Sequence, residues 1–396
     1  MSKYSDWQKG VVNRNFHVLH NLVKRDEINK VITVDFLPFN IKKAIKTYFS
    51  DQILKDTRGT IIYGDLTSQC WQISSKILVY STIDSVLNKS RIITELNKII
   101  AKENMQNNLI AWNYNPMYID YFDNFNQKLN IFDAVDNWSE HSSYEAYKSK
   151  LKQNYQTIQE KSDLIFTVSA NLKKDLFNNQ ANVSWLPNGV DLEYFQSVSE
   201  VSPKLINIPK QIIGFLGILQ DRIDTEILLN LAKNNQDKSI VLAGPVWPNF
   251  PKDKFEEYKN IHFLGPIKYE DIPALYNGFD VGIIPYKIND FIKSTDPMKF
   301  YEYLAAGLPI VSTYIPGIER FGNLIKVAKS PEEFNNFVNQ ALKEEKGLAP
   351  EKFEMLKNNT WQIRVGEMLE LINEKLTPTV IQSVSPEGAS EESLNP

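Results

Sequence analysis

The chain has 396 residues, 42% of them hydrophobic and 12% aromatic, enough to fill two packed cores of about 150 to 200 residues each rather than one. A formal net charge of −4 and a pI near 5.8 exclude the strongly basic surface expected of a nucleic-acid partner. A single cysteine, Cys70, excludes an internal disulfide and fits a reducing compartment.

No apolar run reaches the roughly 18 residues of a spanning helix, and the opening MSKYSDWQKG is not a secretion signal. The expectation is a cytoplasmic protein. Residues 1–60 carry 11 Lys and Arg against 6 Asp and Glu. That excess suits either a solvated helical face or peripheral contact with the inner face of the cell membrane. His17, His20, His141 and His262 stand apart from carboxylates and from the cysteine, so neither a metal site nor a cofactor is expected.

Short apolar runs alternate with helical patterns, which predicts parallel sheets covered by helices. In the first half the strands are expected at Val31 to Phe36, Ile77 to Tyr80, Leu109 to Trp112, Leu129 to Val135 and Leu164 to Val168. Tyr144, Tyr147, Leu151, Tyr155 and Ile158 recur at helical spacing and read as one core stripe. Before the first strand, Trp7, Gln8, Lys9 and Arg14 precede a helical pattern over Val18 to Val23. Periodicity lapses over QSVSEVSPKLINIPK, residues 196–210, which reads as a linker.

The second half repeats the alternation, with strands expected at Ile212 to Leu216, Ile240 to Ala243, Ile261 to Leu264, Val281 to Pro285 and Ile310 to Ser312. The organisation read from this is a doubly wound domain over 1–195, a second over 211–349, one long helix over 350–375 and a disordered tail over 376–396. Ligands should enter a cleft where the carboxyl ends of the two sets of strands face each other.

The most informative segment is STDPMKFYEYLAAGLPIVST, residues 294–313. Asp296 can cap a helix there, Pro297 suits its first turn, and Gly307 suits the left-handed position after its end. Lys299, Glu302 and Ala306 share one helical face. Lys299 and Glu302 are then either an exposed ion pair or, at a helix N-terminus, an anion-binding lysine with a carboxylate that accepts ribose hydroxyls. Upstream, GILQDRID (217–224) follows a strand. Gly217 allows close approach of a ligand, and Arg222 is a diphosphate candidate or a surface charge. Ala243, Gly244 and Pro245, with Pro285 and Tyr286, line a base pocket or form ordinary turns. In the first half Asp136, after a buried strand, is a cleft-facing base or a turn cap, and Asp133 is the reserve. Trp112, Asn113 and Tyr114 can stack on and hydrogen-bond a sugar.

PMKFYEYLAAGLPIVST resembles the donor-binding signature of the group 1 glycosyltransferases. FDVGIIPY, IHFLGPIKYEDIPALY, DLIFTVSANLKKDL and WLPNGVDLEYF are similar to other segments of that family, and together the likeness covers about residues 110–345. The resemblance implies a GT-B fold, two Rossmann-like domains facing a cleft, and transfer of a sugar from a nucleotide-sugar to a glycan, lipid-linked or other hydroxyl acceptor.

The residues expected to meet the donor are then Ser294, Thr295, Lys299, Glu302, Gly217, Arg222 and Gly244, and those expected on the acceptor side are Arg14, Trp112, Asn113 and Tyr114. Two glutamates contact the donor in the family; Glu302 matches the second and Ser294 stands at the first. VDNW, residues 135–138, resembles the loop that carries the base in some inverting GT-B enzymes, which favours Asp136 as the base. The P-x-K-x-x-E-Y-L-A pattern resembles the branch that assembles teichuronic acid and exopolysaccharides. The alternatives are a GT-B nucleotide-sugar 2-epimerase and a non-catalytic sugar-nucleotide-binding protein, which Ser294 would suit.

Overall fold

The computed structural model describes residues 4–8, 11–36, 42, 45–48, 59–83, 88–197 and 200–377. The expected tail over 376–396 lies almost wholly outside them, as does Lys9. The described strands are β1 (Val31–Phe36), β2 (Thr60–Gly64), β3 (Ser68–Gln72), β4 (Ile77–Thr82), β5 (Ile110–Asn113), β6 (Leu129–Ala134), β7 (Leu164–Thr167), β8 (Val183–Trp185), β9 (Ile212–Leu216), β10 (Ser239–Ala243), β11 (Ile261–Gly265), β12 (Val281–Ile284), β13 (Ile310–Thr313) and β14 (Ile325–Ala328).

β9 to β14 form one parallel sheet in the order β11-β10-β9-β12-β13-β14. Its strands are near-continuous apolar runs because helices cover both faces. The first half forms two sheets, β5-β6-β7-β8, all parallel, and β1-β4-β3-β2. In the latter, β1 runs parallel to β4 while β2 and β3 return antiparallel. The parallel arrangement expected throughout therefore fails over residues 60–82. Asp65 is the reason: its Oδ1 accepts from the amides of Thr67 and Ser68 at 2.8 and 3.0 Å, closing a tight reversal.

The helices used below are α1 (Arg14–Leu22), α2 (Lys148–Lys161), α3 (Ala170–Phe177), α4 (Leu192–Gln196), α5 (Thr225–Asn234), α6 (Ile272–Gly278), α7 (Asp290–Lys293), α8 (Met298–Ala305), α9 (Pro350–Lys357) and α10 (Trp361–Leu376). The aromatic stripe divides at the start of α2. Leu151, Tyr155 and Ile158 are buried, whereas Tyr144 and Tyr147 belong to a preceding 3-10 stretch and Tyr147 is 42% exposed. The single helix expected over 350–375 is two, because Thr360 accepts from Ile363 N and starts α10 afresh. Residues 203–205 of the expected linker form a 3-10 turn, and Leu205 is buried in the second lobe's core.

α10 returns to the first lobe. Trp361, Val365, Met368, Leu369 and Ile372 share a core with Val18 and Leu22 of α1 and with Ile131 and Phe166 of the sheet. The crossing is pinned where Val190 N donates to Asn359 O at 3.0 Å and Trp361 N to Val190 O at 3.1 Å. A Cβ on Gly189 would lie 2.9 Å from the Thr360 carbonyl carbon, so only glycine allows the two backbones to touch.

Trp361 is 1% exposed and stacks on His17 at 4.7 Å. Trp361→Ala should cost about 3–5 kcal/mol, read as a lower midpoint in urea unfolding with little change in slope.

Candidate active site

The carboxyl ends of β9, β10 and β12 place three loops side by side. Gly244 has φ +124°, and a Cβ there would lie 2.0 Å from Gly217 O. Glycine is required at 244 because the two loops touch through their backbones. Asp224 caps α5 by accepting from Glu226 N and Ile227 N. Its own N–H donates to Pro285 O at 2.7 Å, and Lys287 N donates to Arg222 O at 2.8 Å. Arg222 is thereby stitched to the loop after β12, with its guanidinium 5.1 Å from the centre of the Tyr286 ring.

Opposite it, in the first lobe, Asp136 lies in the loop after β6. The turn cap there is Asn137, which accepts from Ser139 N at 3.2 Å and Ser139 Oγ at 2.7 Å. Among the described residues the Asp136 carboxylate makes no hydrogen bond. Its backbone carbonyl is held instead, by the Tyr155 hydroxyl at 3.1 Å. Burial pushes the Asp136 carboxyl up to about 7, partly offset by the positive charge of Arg222 from the other lobe.

His141, read above only as unsuited to a metal, belongs to this group. Burial and then Arg222 lower its pKa, and its ring meets Phe291 of α7 at 4.7 Å. Ser142 Oγ donates to Asp221 at 2.7 Å across the same seam. In the sequence only its closeness to Asp136 could have marked His141.

On α8, Lys299 Nζ donates to Glu302 Oε2 at 2.7 Å, and the Tyr276 hydroxyl donates to the same oxygen at 2.6 Å. The Lys299 and Glu302 side chains are 19% and 6% exposed, so this is no solvated surface pair. Tyr194 and Tyr269 stack at 4.6 Å, and burial, with Glu302 among the nearby carboxylates, raises both phenols. Tyr269 also meets Phe16 and His17 of α1 at 5.6 and 5.9 Å. Burial, then the neighbouring His20, Lys299 and Lys24, lowers His17 to about 3, so its ring is neutral at physiological pH.

Asp296 does not cap α8: the residue before the helix is Pro297, with no side-chain cap. Its carboxylate instead accepts from Asn188 N at 2.7 Å, from the Tyr301 hydroxyl at 3.0 Å and from Arg320. Asp296 is 7% exposed, and this charged partner drew it inward. Ser294 and Thr295 spend their hydroxyls on the carbonyls of Asp290 and Ile292, at 3.3 and 2.8 Å. The Ser294 carbonyl accepts from Ser169 Oγ of the first lobe at 2.7 Å.

Of the residues assigned to the acceptor, Arg14 is enclosed, while Trp112, Asn113 and Tyr114 are half-buried. Arg14 is 3% exposed; its Nε lies 3.0 Å from both oxygens of Asp133, and its Nη1 donates to Pro187 O at 3.2 Å and Asn188 Oδ1 at 3.3 Å. Asp133, the reserve base, has no exposed surface and is held by that pair. Asn113 Oδ1 accepts from Asn115 N at 2.8 Å and shapes its own turn. Trp112 and Tyr114 stack at 6.3 Å, with the Tyr114 phenol raised well above its ordinary range by burial and Asp133.

The structure thus brings Asp136 to Arg222 and Lys299 to Glu302. No contact among the described residues joins the two groups. Nor does any cluster of three His, Cys, Asp or Glu among them suit a metal. No described helix is long and apolar enough to cross a membrane.

Residues 210–344 match the family described as glycosyl transferases group 1. Over 152 residues the chain is 27% identical to TuaH of Bacillus subtilis (strain 168), named as a proposed teichuronic acid biosynthesis glycosyltransferase. That match covers 37% of this chain and 38% of TuaH. Three solved structures are similar over most of both chains. Sucrose-phosphate synthase of Thermosynechococcus elongatus has a TM-score of 0.62 at 12% identity, covering 88% of this chain and 99% of that one. Anabaena HepE, solved with UDP and glucose, has 0.57 at 14%, covering 91% and 94%. A glycosyltransferase of Rickettsia africae has 0.60 at 14%, covering 92% and 96%. The architecture these chains share is the GT-B fold, two doubly wound α/β lobes facing a cleft, and this chain has it.

Proposed function

We propose that the chain is a glycosyltransferase that moves a sugar from a nucleotide-sugar donor to a hydroxyl acceptor. The observation that carries this is the GT-B architecture with residues 210–344 matching a glycosyltransferase family, and beside it the Asp136 carboxyl, without a hydrogen bond among the described residues, is set against Arg222 of the other lobe and pushed up to about 7 by burial. A carboxylate that titrates near neutral pH is matched to taking a proton, and a guanidinium across from it suits a leaving diphosphate.

In this reading Asp136 accepts the acceptor's hydroxyl proton as that oxygen bonds to the anomeric carbon. The bond from that carbon to the donor phosphate oxygen breaks, and its electron pair stays on the diphosphate, neutralised by Arg222 and Lys299. Glu302 accepts the ribose hydroxyls: Oε2 is taken by Tyr276 and Lys299, while Oε1 has no partner among the described residues. Gly217, Gly244, Ser294 and Thr295 supply backbone at the donor loops, and Trp112, Asn113 and Tyr114 line the acceptor side. Residues 1–195 form the acceptor lobe and 211–349 the donor lobe. The name of TuaH and the P-x-K-x-x-E-Y-L-A pattern support a place in cell-surface polysaccharide assembly, on a glycan or lipid-linked acceptor at the cytoplasmic face of the membrane.

A thermal-shift panel of UDP-, GDP- and dTDP-sugars tests donor binding, because only a ligand bound to the folded state raises the melting temperature. The matching donor should then release its nucleotide only when acceptor is added. Turnover of donor alone, or a panel with no shift, overturns the reading.

Asp136→Asn should cut turnover by about a hundred- to ten-thousand-fold while leaving the donor-induced shift intact; Glu302→Ala should reduce that shift. The wild-type kcat/KM should fall as pH drops below about 7, where the base becomes protonated.

The same titration sets a stability trend. The folded-state pKa lies above the unfolded value of about 3.9, so this group's contribution is fully present below pH 4 and is lost as pH rises through 7. Asp136→Asn should therefore be more stable than wild type at pH 8 and equal to it at pH 4, as measured by urea unfolding.

A further inference from the structure

Two ion pairs, one in each lobe and each with a buried carboxylate, are joined by one neutral residue, Asn188. In the first lobe Arg14 pairs with Asp133, at 3% and 0% exposure. In the second, Arg320 pairs with Asp296, whose side chain is 2% exposed. Asn188 lies between them and uses three groups. Its Oδ1 accepts from Arg14 Nη1 at 3.3 Å, its Nδ2 donates to Asp296 O at 2.6 Å, and its backbone N–H donates to Asp296 Oδ2 at 2.7 Å. The amide orientation is dictated from both sides, since the oxygen must face a cation and the nitrogen a carbonyl.

We propose that Asn188 and Arg14 are positioning residues, which hold the donor loop 293–297 at a set distance from the acceptor-side loop that carries Asp136. This rests on the glycosyltransferase reading for what the two loops do, and on the geometry alone for the chain that joins them. Asp133 belongs to β6, and Asp136 follows in the loop that leaves that strand. Asp296 stands immediately before Pro297 and α8, which carries Lys299 and Glu302. The chain Asp133–Arg14–Asn188–Asp296–Arg320 therefore ties the origin of the base to the origin of the donor helix.

Arg14 suits this role better than contact with an acceptor. Its Nε and Nη1 are occupied, and its Nη2 is buried without a partner among the described residues. Two further bonds act on the same loop in parallel: Ser169 Oγ donates to Ser294 O at 2.7 Å, and Asn171 Nδ2 to Lys293 O at 3.0 Å. Those reach only α3 and its cap, whereas the chain through Asn188 reaches β6.

The test uses Asn188→Asp and Arg14→Lys in the full-length chain. Asn188→Asp keeps the shape and replaces the Nδ2 donor with an acceptor facing the Asp296 carbonyl. Arg14→Lys keeps the charge opposite Asp133 and lacks the forked nitrogens that reach Asn188. Amide hydrogen exchange over 293–297 in the ligand-free protein should become about tenfold faster in both variants, as the loop opens locally.

The acid limb of turnover should also move below 7, toward the ordinary carboxylate range. Opening the seam returns water to Asp136, and burial is the larger cause of its raised pKa. A change confined to general stability would leave that limb in place. Wild-type exchange over 293–297 in Arg14→Lys overturns the proposal, including the case where Asn188→Asp does not fold. So does faster exchange with an unmoved acid limb. If no nucleotide-sugar is turned over, the glycosyltransferase reading fails, while the exchange measurement still decides whether Arg14 governs the loop.

Discussion

The Asp136 carboxylate has no hydrogen-bond donor among the described residues of its own lobe, and the larger charge that offsets its burial, Arg222, comes from the other lobe. Removing a carboxylate from water without a donor disfavours its ionised form. A charge that bears on its protonation therefore comes from across the cleft rather than from the loop that carries it. The contacts across the seam, from Ser142 to Asp221 and from Asn188 to Asp296, hold that environment together.

The segment around α8 shows the same dependence on partners. Ser294 supplies no carboxylate, and Asp296, two residues later, has its oxygens engaged by Asn188, Tyr301 and Arg320. Glu302 alone of the carboxylates on this segment keeps acceptor capacity. It stays buried because a lysine and a tyrosine meet it on one oxygen, so that its desolvation is offset by charge-assisted hydrogen bonds. Stacked Tyr194 and Tyr269 lie beside this carboxylate, and Tyr269 carries the contact on to Phe16 and His17 of the first lobe.

Much of this was legible in the residues. Ile212 to Leu216 reads as a strand because it is an unbroken apolar run, as buried parallel strands are, and β9 has those bounds. Gly307 reads as a left-handed helix stop and has φ +74°. Thr60 to Gly64 escaped notice because it is an edge strand with Ile61 56% exposed, and its pattern follows no single buried face. Asp296 was misread because a helix cap is a local pattern, whereas Arg320, the partner that claimed it, stands 24 residues away.

The sequence by itself determined what could be written in local periodicity: the alternation of strand and helix, the stop at Gly307 and the shared face of Lys299 and Glu302. Tertiary structure alone decided which groups meet. It sent α10 back into the first lobe, enclosed Arg14 against Asp133 and set Arg222 near Asp136. The reason is physical. Propensity and capping act over a few residues, while burial, charge pairing and the pKa shifts they cause depend on neighbours far apart in the chain, which exist only once the lobes have closed.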